Sequence, residues 1–180
     1  MGIDAIEIAA INKNSDYFNL YEFEDVKTHN ESIYDKYRSS VAKRIEHVVE
    51  QCTRVNNTVK KSLTGNYFPL VLSGDHSSAL GTISGIKAAY PKQIVGVIWI
   101  DAHADLHSPY TTPSGNIHGM PLAAVLGDDN LDCQVNDVAK DIEDHWNEMK
   151  NIGVPGPKVL AENLVYFGVR DTEEAEDKQI

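Results

Sequence analysis

One stretch constrains the fold more than any other: Ile94-Val95-Gly96-Val97-Ile98-Trp99-Ile100, followed at once by Asp101-Ala102-His103-Ala104-Asp105. The first part is β-branched, nearly continuous and apolar, so it predicts a strand covered on both faces in the middle of a parallel sheet. Phe68-Pro69-Leu70-Val71-Leu72 and Leu164-Val165-Tyr166-Phe167-Gly168-Val169 predict two more buried strands. Between them lie helical patterns. Tyr34, Tyr37, Val41, Ile45, Val48, Cys52 and Val55 recur at steps of three and four and predict one long amphipathic helix ending by Gly65. Further helices are expected over 3–10, 77–90, 119–126 and 135–150, with Asn12, Asn14, Ser15 and Asp16 marking an early loop. Alternating helices and continuous apolar strands give an α/β class with a parallel sheet and helices on both faces.

The chain of 180 residues is long enough for one domain with a substantial core, so residues 1–180 are read as a single domain. Its formal net charge of -11 argues against a nucleic-acid surface, which needs a basic face. Cys52 and Cys133 do not form a metal-type pair, and a reduced cytoplasmic chain is expected. No apolar run is long enough to span a membrane, and the opening residues carry no basic region followed by an apolar one.

Ligands in open α/β sheets bind beyond the carboxyl ends of the strands. The predicted strands finish in polar residues: Asp75-His76 after the first, Asp101 to Asp105 after the second, and Asp171 to Glu176 after the third. In extended chain Asp101, His103 and Asp105 would project to one side, with small alanines between them. Two carboxylates and an imidazole suit a manganese site better than a zinc-thiolate one. The cluster could instead be a polar loop with His103 bonded to backbone. The buried strand before it, and Asp75-His76 at another, favour metal, since unpaired carboxylates there would be costly.

These residues resemble the ureohydrolase family, and its arginase branch in particular. Ser-Gly-Asp-His-Ser at 73–77 is similar to that family's first motif and Asp-Ala-His-Ala-Asp at 101–105 to its second. Thr112-Pro113-Ser114-Gly115-Asn116-Ile117-His118-Gly119 looks like the arginase form of the loop that follows. The resemblance runs over nearly the whole chain. It implies a three-layer α/β/α fold, here incomplete at both ends, and a site for two Mn²⁺ ions with His76, Asp101, His103 and Asp105 as ligands. Asp101 would bridge both ions. A hydroxide held between them would hydrolyse L-arginine to L-ornithine and urea. His118 matches the proton-transfer histidine, and Asp105 is grouped with it as catalytic. Thr112, Ser114 and Asn116 lie where the substrate carboxylate would be bound, although alone they read as turn residues. Glu173 and Glu176 look like the acidic pair facing the substrate amino group, or equally like the start of a helix. Asp75 would support a ligand or cap a helix. Expected partners are a small guanidinium substrate and further copies of the chain, with neither nucleic acid nor membrane.

Three departures qualify the resemblance. His107 stands where arginases commonly carry Asn, so it is grouped with the substrate contacts as an altered one. Glu173 stands in place of the usual Asp. The third family motif, Asp-x-Asp-x-x-Asp-Pro, does not occur in the sequence, and with it go two expected carboxylate ligands. The expectation is a portion of a ureohydrolase that is inactive alone. Alternatives are another specificity, such as agmatinase or guanidinobutyrase, or a non-catalytic metal-binding domain. A histone-deacetylase-like zinc hydrolase is more remote.

Overall fold

The structure is a computed structural model that describes residues 2–28 and 30–180. Along the chain run α1 (Gly2–Asn12), α2 (Tyr17–Leu20), α3 (Ile45–Thr64), α4 (Ser78–Ala89), β1 (Val97–Ile100), α5 (Pro121–Leu126), α6 (Lys140–Lys150), β2 (Leu164–Phe167) and α7 (Glu174–Asp177). β1 and β2 pair in parallel, with Val97 opposite Leu164 and Ile100 opposite Phe167. A parallel pair needs a long crossover, and α5 and α6 occupy it.

The core lies between the helices and the inner face of this sheet. Trp99, Leu80, Leu122, Val125, Trp146 and Met149 are buried there, and Val97, Leu164 and Tyr166 pack against them. α3 turns Ile45, Cys52, Val55 and Val59 inward, and α4 lies against it. The two helices approach closely because α4 presents glycines. A Cβ on Gly81 would meet the Cys52 carbonyl oxygen at 2.5 Å, and one on Gly85 would meet that of Asn56 at 2.7 Å. Cys52 and Cys133 are both free. Burial pushes the Cys52 thiol up to about 12, so it is inert packing rather than a nucleophile. No helix among the described residues is long and apolar enough to cross a membrane.

Several expectations change. The long amphipathic helix starts only at Ile45, and Tyr34 and Tyr37 are exposed. Arg44 takes a left-handed φ of 60°, which a helix interior does not accept, while the Ser39 hydroxyl accepts from Val41 and Ala42 N–H. Lys43 N–H is drawn to the carbonyl of Gly115 instead of into a helix. The acidic surface helix expected from Val135 begins at Lys140, because Val135 and Asn136 donate to the Tyr110 carbonyl.

Residues 68–72 form no strand. Phe68 and Leu70 are exposed, and a groove of about 580 Å³ lies between this segment, α4 and β1. A strand exists only with a ladder partner, and this segment has none among the described residues. β1 is also shorter than its apolar run. Ile98 and Ile100, with Val165 and Phe167 beside them, form an exposed outer face, while Trp99 is buried. The core helices α3 to α6 lie on the other face, as in an incomplete α/β sheet, and the cover expected on the outer face of β1 is not seen among the described residues.

Candidate metal centre

Asp101 follows β1 directly and continues its inward side, two residues beyond Trp99. His76 comes from a different place. It lies in the turn before α4, not at a strand end as the sequence suggested. Asp75 holds that turn, its Oδ1 accepting the Ser77 N–H at 2.9 Å as well as the Ser77 hydroxyl. The N-cap of α4 is Ser77 and has no side-chain cap, so Asp75 braces the turn that carries His76 rather than capping the helix. Its other oxygen is 3.7 Å from His118 Nδ1.

The His76 ring stacks on Trp99, with ring centroids 4.4 Å apart and planes 21° from parallel. That stacking aims Nδ1 at two carboxylates: Asp101 Oδ2 at 3.0 Å and Asp105 Oδ2 at 2.8 Å. One ligand atom from each of His76, Asp101 and Asp105 lies within 4.8 Å of the others, a group that could hold a metal ion. Trp99 was read only as core. The signal for its second role was its i, i+2 relation to Asp101 at the end of the strand.

The convergence is not that of an extended chain. β1 stops at Ile100 and residues 101–103 bend. Asp105 then takes a φ of 53°, in the left-handed region. This turn, rather than strand alternation, brings Asp105 back to Asp101 while leaving His103 on the outer side. His103 Nδ1 is 3.2 Å from Asp101 Oδ1, and its Nε2 is 3.6 Å from Asp171 Oδ2. The two oxygens of Asp101 therefore face two different histidines.

The electrostatics follow from these contacts. The Asp105 carboxylate beside it raises the His76 pKa above its ordinary value, against the opposing effect of burial. Burial pushes Asp101 up, but the His103 N–H and the His76 charge outweigh it and leave Asp101 lowered. Asp105 is buried, and its Oδ2 makes no hydrogen bond of good geometry although it sits close to His76. A buried carboxylate oxygen in that state is costly unless a cation completes it. The donor set of imidazole and carboxylate oxygen, without thiolate, fits a divalent metal ion.

The remaining predicted residues make contacts of their own. His107 is buried, with Nδ1 3.1 Å from the Thr111 hydroxyl and Nε2 2.9 Å from Glu173 Oε2. Glu176 is buried too and closes a capping box with Glu173 at the start of α7. Thr112 Oγ1 accepts the Gly115 N–H, Ser114 Oγ accepts the Asn116 N–H, and Asn116 Oδ1 accepts from Lys43. These three thus shape the loop in this structure. Gly115 is required there: its φ is 71°, and a Cβ would fall 1.8 Å from the Ser40 carbonyl oxygen. His118, on the 3-10 turn Ile117–Gly119, is exposed.

Comparison with known proteins gives the family. The model of the Arginase family matches residues 2–180. An arginase of Brevibacillus brevis is 45% identical over 138 residues, covering 77% of this chain and 40% of that protein. The crystal structure of arginase from Bacillus subtilis superposes with a TM-score of 0.71 at 34% identity, over 100% of this chain and 53% of that one. Entamoeba histolytica arginase, solved in complex with L-ornithine, gives a TM-score of 0.61 at 30% identity, over 81% of this chain and 45% of that one. The chain spans about half the length of the curated relatives it matches. On sequence and fold alike, it belongs to the arginase family.

Proposed function

We propose that these residues form the metal-binding core of a manganese-dependent hydrolase that converts L-arginine to L-ornithine and urea. The observation that carries the reading is the convergence of His76, Asp101 and Asp105, with a buried Asp105 oxygen lacking a hydrogen bond. His76, Asp101 and Asp105 would hold one ion, and His103 a second across Asp101. Bound ions of this kind acidify water, so that hydroxide is available near neutral pH.

The chain's own residues supply the rest. Trp99 fixes the His76 ring by stacking. His118 is exposed and next to the Asp75 carboxylate, which suits it to pass a proton between the site and solvent. Thr112, Ser114 and Asn116, on the loop that leads to His118, and Glu173, beside His107, would read the carboxylate and amino group of the substrate. The ornithine bound to the Entamoeba relative is the product such contacts would hold.

His76, Asp101, His103 and Asp105 are four protein ligands for two ions, which is too few to fix both ions and their spacing. The purified 180-residue chain is therefore expected to bind one Mn²⁺ well and to release no appreciable urea. Calorimetric stoichiometry and a urea assay with excess Mn²⁺ test this. Two tightly bound ions with enzyme-like turnover would refute the ligand count, and no binding at all would leave a non-catalytic domain. In a longer protein containing this chain, arginine is expected to be preferred over agmatine, which lacks the carboxylate. Equal kcat/KM for the two would remove Thr112, Ser114 and Asn116 from substrate recognition.

A further inference from the structure

The backbone of residues 101–107 is held from four directions. Asp101 N–H donates to the Phe167 carbonyl, and the Ala102 carbonyl accepts from Arg170 and Asp171 N–H. The Ala104 carbonyl accepts the Tyr166 hydroxyl at 3.0 Å. The Asp105 carbonyl accepts Leu122 N–H at 3.1 Å and Ala123 N–H at 3.3 Å, at the start of α5. His107 N–H reaches the Gly119 carbonyl at 3.1 Å. That leaves Leu106 N–H, and it is the one backbone donor of 105–107 taken by a side chain: Glu176 Oε1 accepts it at 3.1 Å.

This contact bears on the metal reading, because Leu106 follows the residue with the left-handed φ. Asp105 needs that conformation for its carboxylate to meet His76. A non-glycine residue relaxes from the left-handed region unless the surrounding structure holds it there. α5 fixes the carbonyl end of the Asp105–Leu106 peptide, and Glu176 fixes the N–H end of the same peptide. A peptide plane gripped at both ends cannot rotate.

Glu176 is itself built in. It is 4% exposed, its Oε2 accepts the Glu173 N–H at 3.2 Å, and the same oxygen is 3.6 Å from His107 Nε2. Its two oxygens are thus committed to two backbone amides. A carboxylate so engaged is poorly placed to serve as a direct contact for a substrate ammonium group.

We propose that Glu176 is a positioning residue for the metal centre, holding Asp105 in its ligating conformation through the Leu106 amide. The inference rests on the metal reading above. It gives α7 a purpose that neither its length nor its sequence announces: it carries the clamp of a loop 70 residues earlier.

The test compares Mn²⁺ affinity by calorimetry with exchange protection of the Leu106 amide by NMR, in the full 180-residue chain. Glu176→Met keeps the volume and removes both acceptors. It is expected to lose Leu106 protection and to weaken Mn²⁺ binding by about 10–100-fold, the range for lost support of a metal ligand. Glu176→Gln keeps an acceptor for Leu106 and is expected to retain both protection and affinity. Lys158→Met, which changes a buried side chain bonded to the Lys150 and Gly156 carbonyls, should change stability without moving the Kd. Glu176→Met with unchanged affinity, or Glu176→Gln with affinity lost, overturns the proposal. The Gln arm decides the matter even if the Met variant does not fold. Wild-type chain that protects Leu106 but binds no Mn²⁺ would sink the metal reading and the positioning role together, while showing the clamp itself to be real.

Discussion

Replacing Asp105 by Asn separates stability from metal binding with opposite signs. The Asp105 side chain is only 6% exposed, and its Oδ2 has no hydrogen bond of good geometry. Leaving a buried acceptor unsatisfied costs about 1–3 kcal/mol, and more for a charged one. Its ion pair with His76 offsets part of that, but the His76 side chain is 42% exposed, so the pair contributes about 1 kcal/mol at most. The sign of the pH dependence follows from the raised His76 pKa. That ion pair stabilises fully below the ordinary histidine value and is lost as pH rises through the raised one. At mildly alkaline pH, with EDTA present, only the unfavourable burial of Asp105 remains. Asp105→Asn is then expected to be more stable than wild type by about 1–2 kcal/mol, after some allowance for imperfect packing of the amide. For a chain of this size that is a rise of roughly 2–8 °C in Tm. With Mn²⁺ at a hundred times its Kd the order reverses. Wild type gains about 2.7 kcal/mol by linkage, and the variant, missing a charged ligand, gains little. The assay is thermal unfolding of both proteins with EDTA and across a Mn²⁺ titration. A variant less stable than wild type in EDTA, or one that Mn²⁺ stabilises equally, would refute the view of Asp105 as a carboxylate kept at a cost for a cation.

Two further expectations concern the scaffold. Gly81→Ala places a Cβ 2.5 Å from the Cys52 carbonyl oxygen and 2.8 Å from Val55 Cβ, so α3 and α4 must separate. The variant should lose about 1–3 kcal/mol despite alanine's better helix propensity, and denaturant unfolding that shows a gain would refute the close-packing argument. Lys158 is 2% exposed, donates to the Gly156 and Lys150 carbonyls and faces no carboxylate partner in these bonds; burial pushes its pKa down to about 8 from 10.5. Below pH 8 both folded and unfolded chains hold the proton, whereas between 8 and 10.5 only the unfolded chain does, so stability rises with pH across that window. Relative to Lys158→Met, wild type should gain up to about 3 kcal/mol across it, and a difference that stays flat with pH would refute the shift.

The sequence by itself determined the class of the fold, the helices α4 and α5 nearly to their ends, and the identity of the residues around the centre. It could do so because those signals are local. A continuous β-branched run makes a strand, glycine and proline end helices, and an Asp-Ala-His-Ala-Asp sequence after a strand is too polar to be core. It also placed His76 in the same site from a motif alone. What it could not determine depends on residues far apart in the chain. Whether Phe68 to Leu72 becomes a strand depends on a ladder partner, and no local pattern supplies one. Whether the Tyr34 to Val41 stripe joins a helix was decided by Lys43 and Gly115, 72 residues apart, meeting across a loop. Alternation along an extended chain suggested that Asp101, His103 and Asp105 point one way. The bend at 101–103 and the left-handed turn at Asp105 instead leave His103 exposed beside Asp101 and bring the two carboxylates to His76. The peptide after that turn is held at both ends, by α5 and by Glu176 of α7. The residues of the candidate centre are written in the sequence. Their geometry is not, because it is fixed by hydrogen bonds to backbone groups, which every residue carries and which leave no mark on the pattern of side chains.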